Sequence, residues 1–155
     1  MYPFLEPAQD LEATGDKDER GGGLWQSTGD DPGFLIRLPA LRPRFLAVRL
    51  HGRDGAVPAP QIYFNVGGGF RETDSMQVVE GGDLCLMLDV GRLGFVRAIR
   101  LDPASGPGSF VCEVEALENE DQAREKERAW KTAFPEGRVE RISGIGLFGS
   151  LKRRL

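Results

Sequence analysis

The 155-residue chain is 40% hydrophobic and 28% charged, with a formal net charge of −4, enough for one domain with a real core and too short for two comfortable ones. The acidic balance excludes a general nucleic-acid binder, which would carry a basic excess, and no apolar run approaches the roughly 20 residues needed to span a bilayer. The opening "MYPFLEPAQDLEATGD" has neither a basic start nor an apolar centre and does not read as a secretory signal.

Residues 1–22 read as a flexible acidic arm, because "DLEATGDKDERGGG" holds almost no large apolar group to offset the entropy of ordering. From residue 23 to 118 the texture changes to short runs rich in Val, Ile, Leu and Phe, punctuated by Gly, Pro and Asp. In chain order these are 24–28, 33–39, 44–52, 60–66, 74–80, 83–90, 95–103 and 109–117. Several alternate strictly. Ile62, Phe64 and Val66 share one face and Tyr63 and Asn65 the other; Leu84, Leu86 and Leu88 form a second inward set, and Phe110, Cys112 and Val114 a third. "FVRAIRL" (95–101) alternates poorly, which suggests a bulge or an edge position. About eight strands at roughly ten-residue spacing, with no helices between them, predict an all-β fold, an antiparallel β-sandwich of jelly-roll type.

Residues 119–134 contain no Gly or Pro and read as a C-terminal α-helix capped by Asn119, with Glu120–Arg124 and Glu127–Lys131 as i,i+4 pairs. The apolar stripe is thin: Ala123, Trp130 and Phe134. It suits a helix resting on the sandwich edge through Trp130, or one docking onto another protein through Trp130 and Phe134. Residues 135–155 read as a linker or docking tail, apolar around Phe148 and then basic in "LKRRL", able at most to touch a membrane surface weakly.

The triple glycine of "IYFNVGGGFRETDS" (62–75) raises the question of a phosphate loop. Such a loop needs spaced glycines, a Lys with Ser or Thr, and a following helix. Gly67, Gly68 and Gly69 offer none of these, and a β-rich stretch follows them, so a turn between strands is the better reading. Catalytic and metal signatures are equally thin. His51 is the single histidine, at a predicted strand end, with no nucleophile elbow to serve. Cys85 and Cys112 form no metal-binding spacing and read as small buried side chains in a reducing cytoplasm. No catalytic residue, metal ligand or cofactor is assigned, although scattered carboxylates leave a structural Ca²⁺ open, and a glycosidase would need two carboxylates facing across a cleft.

The segments "GDDPGFLIRLP", "RFLAVRLHG", "IYFNVGGGFRETDSMQV" and "FVRAIRLDPASGPGSFVCEVEAL" resemble, in this order, a β-sandwich module of bacterial surface-polysaccharide enzymes. That module precedes glycosyltransferase domains, including those of the rhamnan-synthesis type. The shared features are the "G-x-DP-x-F" entry at Gly29–Phe34, the "YF-x-x-G-x-GF" hairpin at Tyr63–Phe70, and "IRLDP" leading through a Pro/Gly turn to Phe110. They cover roughly residues 24–118 and are turn residues and strand ends, not catalytic groups. No transferase domain follows them here. The resemblance therefore implies a non-catalytic, carbohydrate-binding-like accessory module with a glycan as partner, either standing alone or encoded beside a glycosyltransferase that it would partner.

Sugar binding asks for an exposed aromatic ring to take the apolar face of a pyranose, and for side chains that hydrogen-bond its hydroxyls. Trp25, Asp31, Tyr63, Asn65, Arg71, Arg100 and Asp102 are the candidates. Each has a plainer alternative: Trp25 as a plug of the sandwich end, Tyr63 and Asn65 as an ordinary wet face, Arg100 and Asp102 as a structural ion pair. The competing function is a protein-interaction module using the helix and the tail, with Trp130, Phe134 and Phe148 as its contacts.

Overall fold

Inward-pointing alternation builds two facing sheets in the computed structural model, which describes residues 5–17, 22–29, 31–38, 43–53, 61–65, 75–77, 83–93, 97–103 and 108–143. The strands are β1 (Leu5–Gln9), β2 (Leu11–Lys17), β3 (Gly23–Ser27), β4 (Gly33–Arg37), β5 (Phe45–Arg53), β6 (Gln61–Asn65), β7 (Ser75–Gln77), β8 (Asp83–Asp89), β9 (Ala98–Asp102), β10 (Ser109–Leu117) and β11 (Arg138–Ile142). A one-turn helix α1 (Val90–Leu93) follows β8, and α2 (Glu120–Ala133) lies between β10 and β11. One sheet runs β1-β4-β9-β6-β7 and the other β11-β8-β5-β10-β3-β2. The protein is a β-sandwich with a C-terminal helix, and all eight strands expected from the sequence are present.

Phe34, Ile36, Ile62, Phe64, Ile99 and Leu101 point inward from the five-stranded sheet. Leu46, Val48, Leu50, Leu84, Leu86, Leu88, Phe110, Cys112 and Val114 meet them from the six-stranded sheet. Each such side chain taken fully from water contributes about 1.5–3 kcal/mol, so this layer supplies the main driving force.

A second apolar layer lies on the far side of the six-stranded sheet. Phe45, Ala47, Cys85, Met87 and Leu117 point outward there and are buried beneath Ala123 and Trp130 of α2. The Asn119 side chain caps the helix by accepting from the Gln122 amide at 2.9 Å, and the Gln122 side chain accepts in return from the Glu118 amide at 2.7 Å. Pro135 then prevents continuation. Ion pairs fix the helix on both flanks. Arg141 of β11 reaches Glu120 at 2.8 Å and Glu127 at 2.6 Å, and Lys126 reaches Glu115 of β10 at 2.9 Å. The bond from Arg141 holds the Glu120 carboxyl below its usual range.

Several expectations are corrected. The segment read as a flexible arm supplies β1 and β2, edge strands of opposite sheets, joined at Asp10 with φ of 50°. Composition misleads there because backbone pairing to β4 and β3, not side-chain burial, orders the segment. Strand β9 is central in its sheet, not an edge, with Ile99 and Leu101 inward. Residues Arg138–Ile142, assigned to a tail, pair with β8 in parallel, the one departure from antiparallel pairing among the described strands. Helix α2 lies across a sheet face and not along an edge. Glu127 engages Arg141 of β11 in place of the expected partner Lys131.

The two cysteines occupy different layers, Cys112 between the sheets and Cys85 under α2, and both are free and buried. Burial, reinforced by nearby carboxylates, pushes each thiol up to about 12. Neither is expected to react with a disulfide reagent at neutral pH in the native protein, and both should label on unfolding. Labelling of native protein within minutes would contradict this placement.

Candidate functional site

The outward side of the five-stranded sheet carries most of the expected sugar-site residues. Side chains of directly paired residues share a face, and Arg100 of β9 is paired with Tyr63 of β6 on one side and Leu35 of β4 on the other. Asp102 is paired with Gln61, and Asn65 with Ala98. Gln61, Tyr63, Asn65, Arg100 and Asp102 therefore project together, each partly exposed.

The Arg100 Nε donates to Asp102 Oδ1 at 2.7 Å, and its guanidinium lies 3.8 Å from the Asp31 carboxylate. Partial burial works against the charged form of Arg100, yet the bond and charge of Asp102 outweigh it and its pKa is raised. Room for this fork comes from Gly33: a methyl there would stand 2.9 Å from Asp102 Oδ1 and 3.3 Å from Arg100 Nε. Asp31 is held by the β1–β2 turn. The Gln9 amide donates to the Asp31 carboxylate at 2.7 Å and to its carbonyl at 2.9 Å, and the Asp31 N–H donates to Asp10 Oδ2 at 3.1 Å.

The structure thus brings Asp31, Tyr63, Asn65, Arg100 and Asp102 together. It places Trp25 elsewhere, on β3 of the other sheet, half-buried and edge-on to Phe34 at 5.0 Å between ring centroids. The plug reading of Trp25 fits that position, and the ligand reading does not. The ion-pair reading of Arg100 and Asp102 also holds, so any ligand meets a prearranged fork. Arg71, Phe148 and the triple glycine lie outside the described residues; β6 and β7, which flank the glycines, are antiparallel neighbours. Gln9, Gln61, Gly33 and Leu35 went unrecognised in the sequence. Gln61 was findable, since it shares the parity of Tyr63 and Asn65. Gln9 was not, coming from a segment without periodicity.

Trp130 and Phe134 are corrected as contacts to another protein. Trp130 is 4% exposed beneath its own helix, and Phe134 is partly buried beside it. Phe134 covers a guanidinium: Arg49 Cζ lies 4.8 Å from its ring centroid. Arg49, only 3% exposed, donates to Asp83 at 3.1 Å and Glu113 at 2.6 Å from the outward side of the six-stranded sheet. His51 joins this cluster, its Nδ1 3.3 Å from Asp83 Oδ1. A methyl at Gly22 would collide with Glu113 and Val111, so a bare backbone seals the cluster. Arg49 is thus clamped between two carboxylates and a ring, and His51 borders the clamp through Asp83. Among the described residues no three His, Cys, Asp or Glu side chains are grouped to hold a metal ion, and no helix is long and apolar enough to cross a membrane.

No protein-family model matches the chain, and no curated protein matches its sequence. Among solved structures it is similar to an exo-β-agarase, over 77% of this chain but 24% of that one, at 9% identity and a TM-score of 0.46. It is also similar to a family 11 carbohydrate-binding module from Clostridium thermocellum, solved with a β-1,3-1,4-mixed-linked tetrasaccharide (12% identity, 74% and 89% of the two chains, TM-score 0.41). A third is a mannan-recognising carbohydrate-binding module, TmCBM27 (12% identity, 75% and 89%, TM-score 0.41). At such scores the likeness does not bear on what this chain binds, which has to be read from its own side chains.

Proposed function

We propose that this chain is a non-catalytic carbohydrate-binding module, with the outward side of the five-stranded sheet as its binding face. The observation that carries the reading is the row Leu35–Arg100–Tyr63, bordered by Asp102, Asn65 and Gln61. It combines an aromatic ring with several amide, carboxylate and guanidinium groups on a face that no described helix or strand covers. A pyranose needs that combination, an apolar patch for its C–H face and paired donors and acceptors for its hydroxyls. On the opposite sheet, α2 and the Arg49 clamp occupy the outward side over β8, β5 and β10. The turn-residue resemblance supports a role beside a glycosyltransferase of surface-polysaccharide synthesis, in the cytoplasm where both thiols stay reduced.

The interaction-module reading loses its main anchor, because the apolar stripe of α2 is spent within the chain. Deleting residues 119–155 would not separate the two readings, since it would uncover Phe45, Cys85 and Met87. Substitution on the face does. Tyr63→Ala is expected to weaken oligosaccharide binding about tenfold, the loss of one stacking contact of about 1–1.5 kcal/mol, in a chain that stays folded by circular dichroism. NMR titration of the native chain and the variant with a panel of bacterial surface oligosaccharides reads this out. A panel without any shift in the native spectrum would sink the proposal.

A further inference from the structure

We infer that the face selects uncharged glycans and discriminates against acidic ones, a conclusion that rests on the sugar-binding reading above. The described charges on or bordering the outward side are the carboxylates of Glu6, Asp31 and Asp102 and the guanidiniums of Arg37 and Arg100, three against two. Both guanidiniums are already engaged. Arg37 pairs with Glu6 at 2.5 Å, and Arg100 serves Asp102 at 2.7 Å and Asp31 at 3.8 Å. Asp10, whose carboxylate accepts from the Asp31 amide, adds a further negative charge at the same end. Arg97, the residue before β9, is an exposed cation at the opposite end of the same strands from Asp31, where its amide donates to the Asn65 carbonyl at 2.8 Å.

A sugar hydroxyl can accept from the outer edge of the Arg100 fork and donate to Asp31 or Asp102 without disturbing the pair. A uronate carboxylate reaching for Arg100 has to displace Asp102 or Asp31 and then sit beside the carboxylate it displaced. Like charges in contact across a partly exposed face repel, and salt relieves that repulsion, since the Debye length falls from about 10 Å at 0.1 M to about 3 Å at 1 M.

The test is isothermal titration of the full chain with matched oligosaccharide pairs, each an oligouronide and its carboxyl-reduced counterpart, at 20 mM and 500 mM NaCl. For any pair that binds, the reduced member should bind at least about fivefold tighter at low salt, and the ratio should shrink at high salt. Asp31→Asn should move the low-salt ratio toward the acidic member. Equal or tighter binding of the oligouronide at low salt overturns the selectivity while leaving the sugar-binding reading intact. If no member of any pair binds, the sugar-binding reading itself falls, and this inference with it.

Discussion

Replacing Trp130 by alanine is expected to destabilise the protein by about 3–5 kcal/mol, the range for removing a large aromatic side chain from a packed core. The indole is 4% exposed and packs in one cluster with Phe45, Ala47, Cys85, Met87 and Leu117. The Arg141 and Lys126 ion pairs hold α2 on both flanks and limit how far it can settle into the space. At about 2–4 °C per kcal/mol for a chain of this size, the melting midpoint should drop by roughly 10–15 °C. The helix-docking alternative predicts the opposite, a stable variant that loses a binding partner. A thermal melt followed by circular dichroism decides between them: a drop of less than about 2 °C would place Trp130 outside the core.

Arg49→Met is expected to be the most damaging change of a charged residue. Methionine keeps a flexible stem beneath the Phe134 ring but removes the guanidinium that Asp83 and Glu113 share. Asp83 and Glu113 then both lose the cation they share. Breaking a buried pair from one side costs about 3–5 kcal/mol. Because Asp83 and Glu113 keep 20% and 38% of their side-chain surface in water, the loss should fall to about 2–3 kcal/mol. Adding Asp83→Asn and Glu113→Gln to Arg49→Met should recover part of that loss, since the deficit lies in unpaired charge. Urea unfolding at neutral pH tests both steps. A single variant as stable as the parent would show that the cluster is solvated and not packed.

The sandwich was legible in the chain because its central strands bury one face strictly by alternation. Ile62/Phe64 and Phe110/Cys112/Val114 spell this out residue by residue. The destination of the helix was less visible, though a signal existed. "FLAVRL" and "LCLML" are nearly continuous apolar runs, which mark strands buried on both faces, and Ala47, Cys85 and Met87 are the outward members that needed a cover. The N-terminal strands left no such trace. Leu11 is the single buried residue of β2, and β1 has none. Their order comes from long-range backbone pairing that local composition does not encode. On the outward side of the five-stranded sheet, Tyr63, Asn65, Arg100 and Asp102 could be grouped by parity within a strand. Their meeting depended on the β6–β9 pairing, and that of Asp31 on a turn supplied from the far end of the chain.

The turn at Asp10 has a consequence for handling the protein. Because consecutive strands on either side of it hem opposite sheets, a few residues of chain act as the stitch along one whole flank of the molecule. Trimming the first seventeen residues, as their composition invites, would lay bare the rims of β3 and β4 at once, two rows of unsatisfied amides and carbonyls side by side. The shortened chain should self-associate rim to rim, and the chain that keeps β1 and β2 is the one to titrate with sugars.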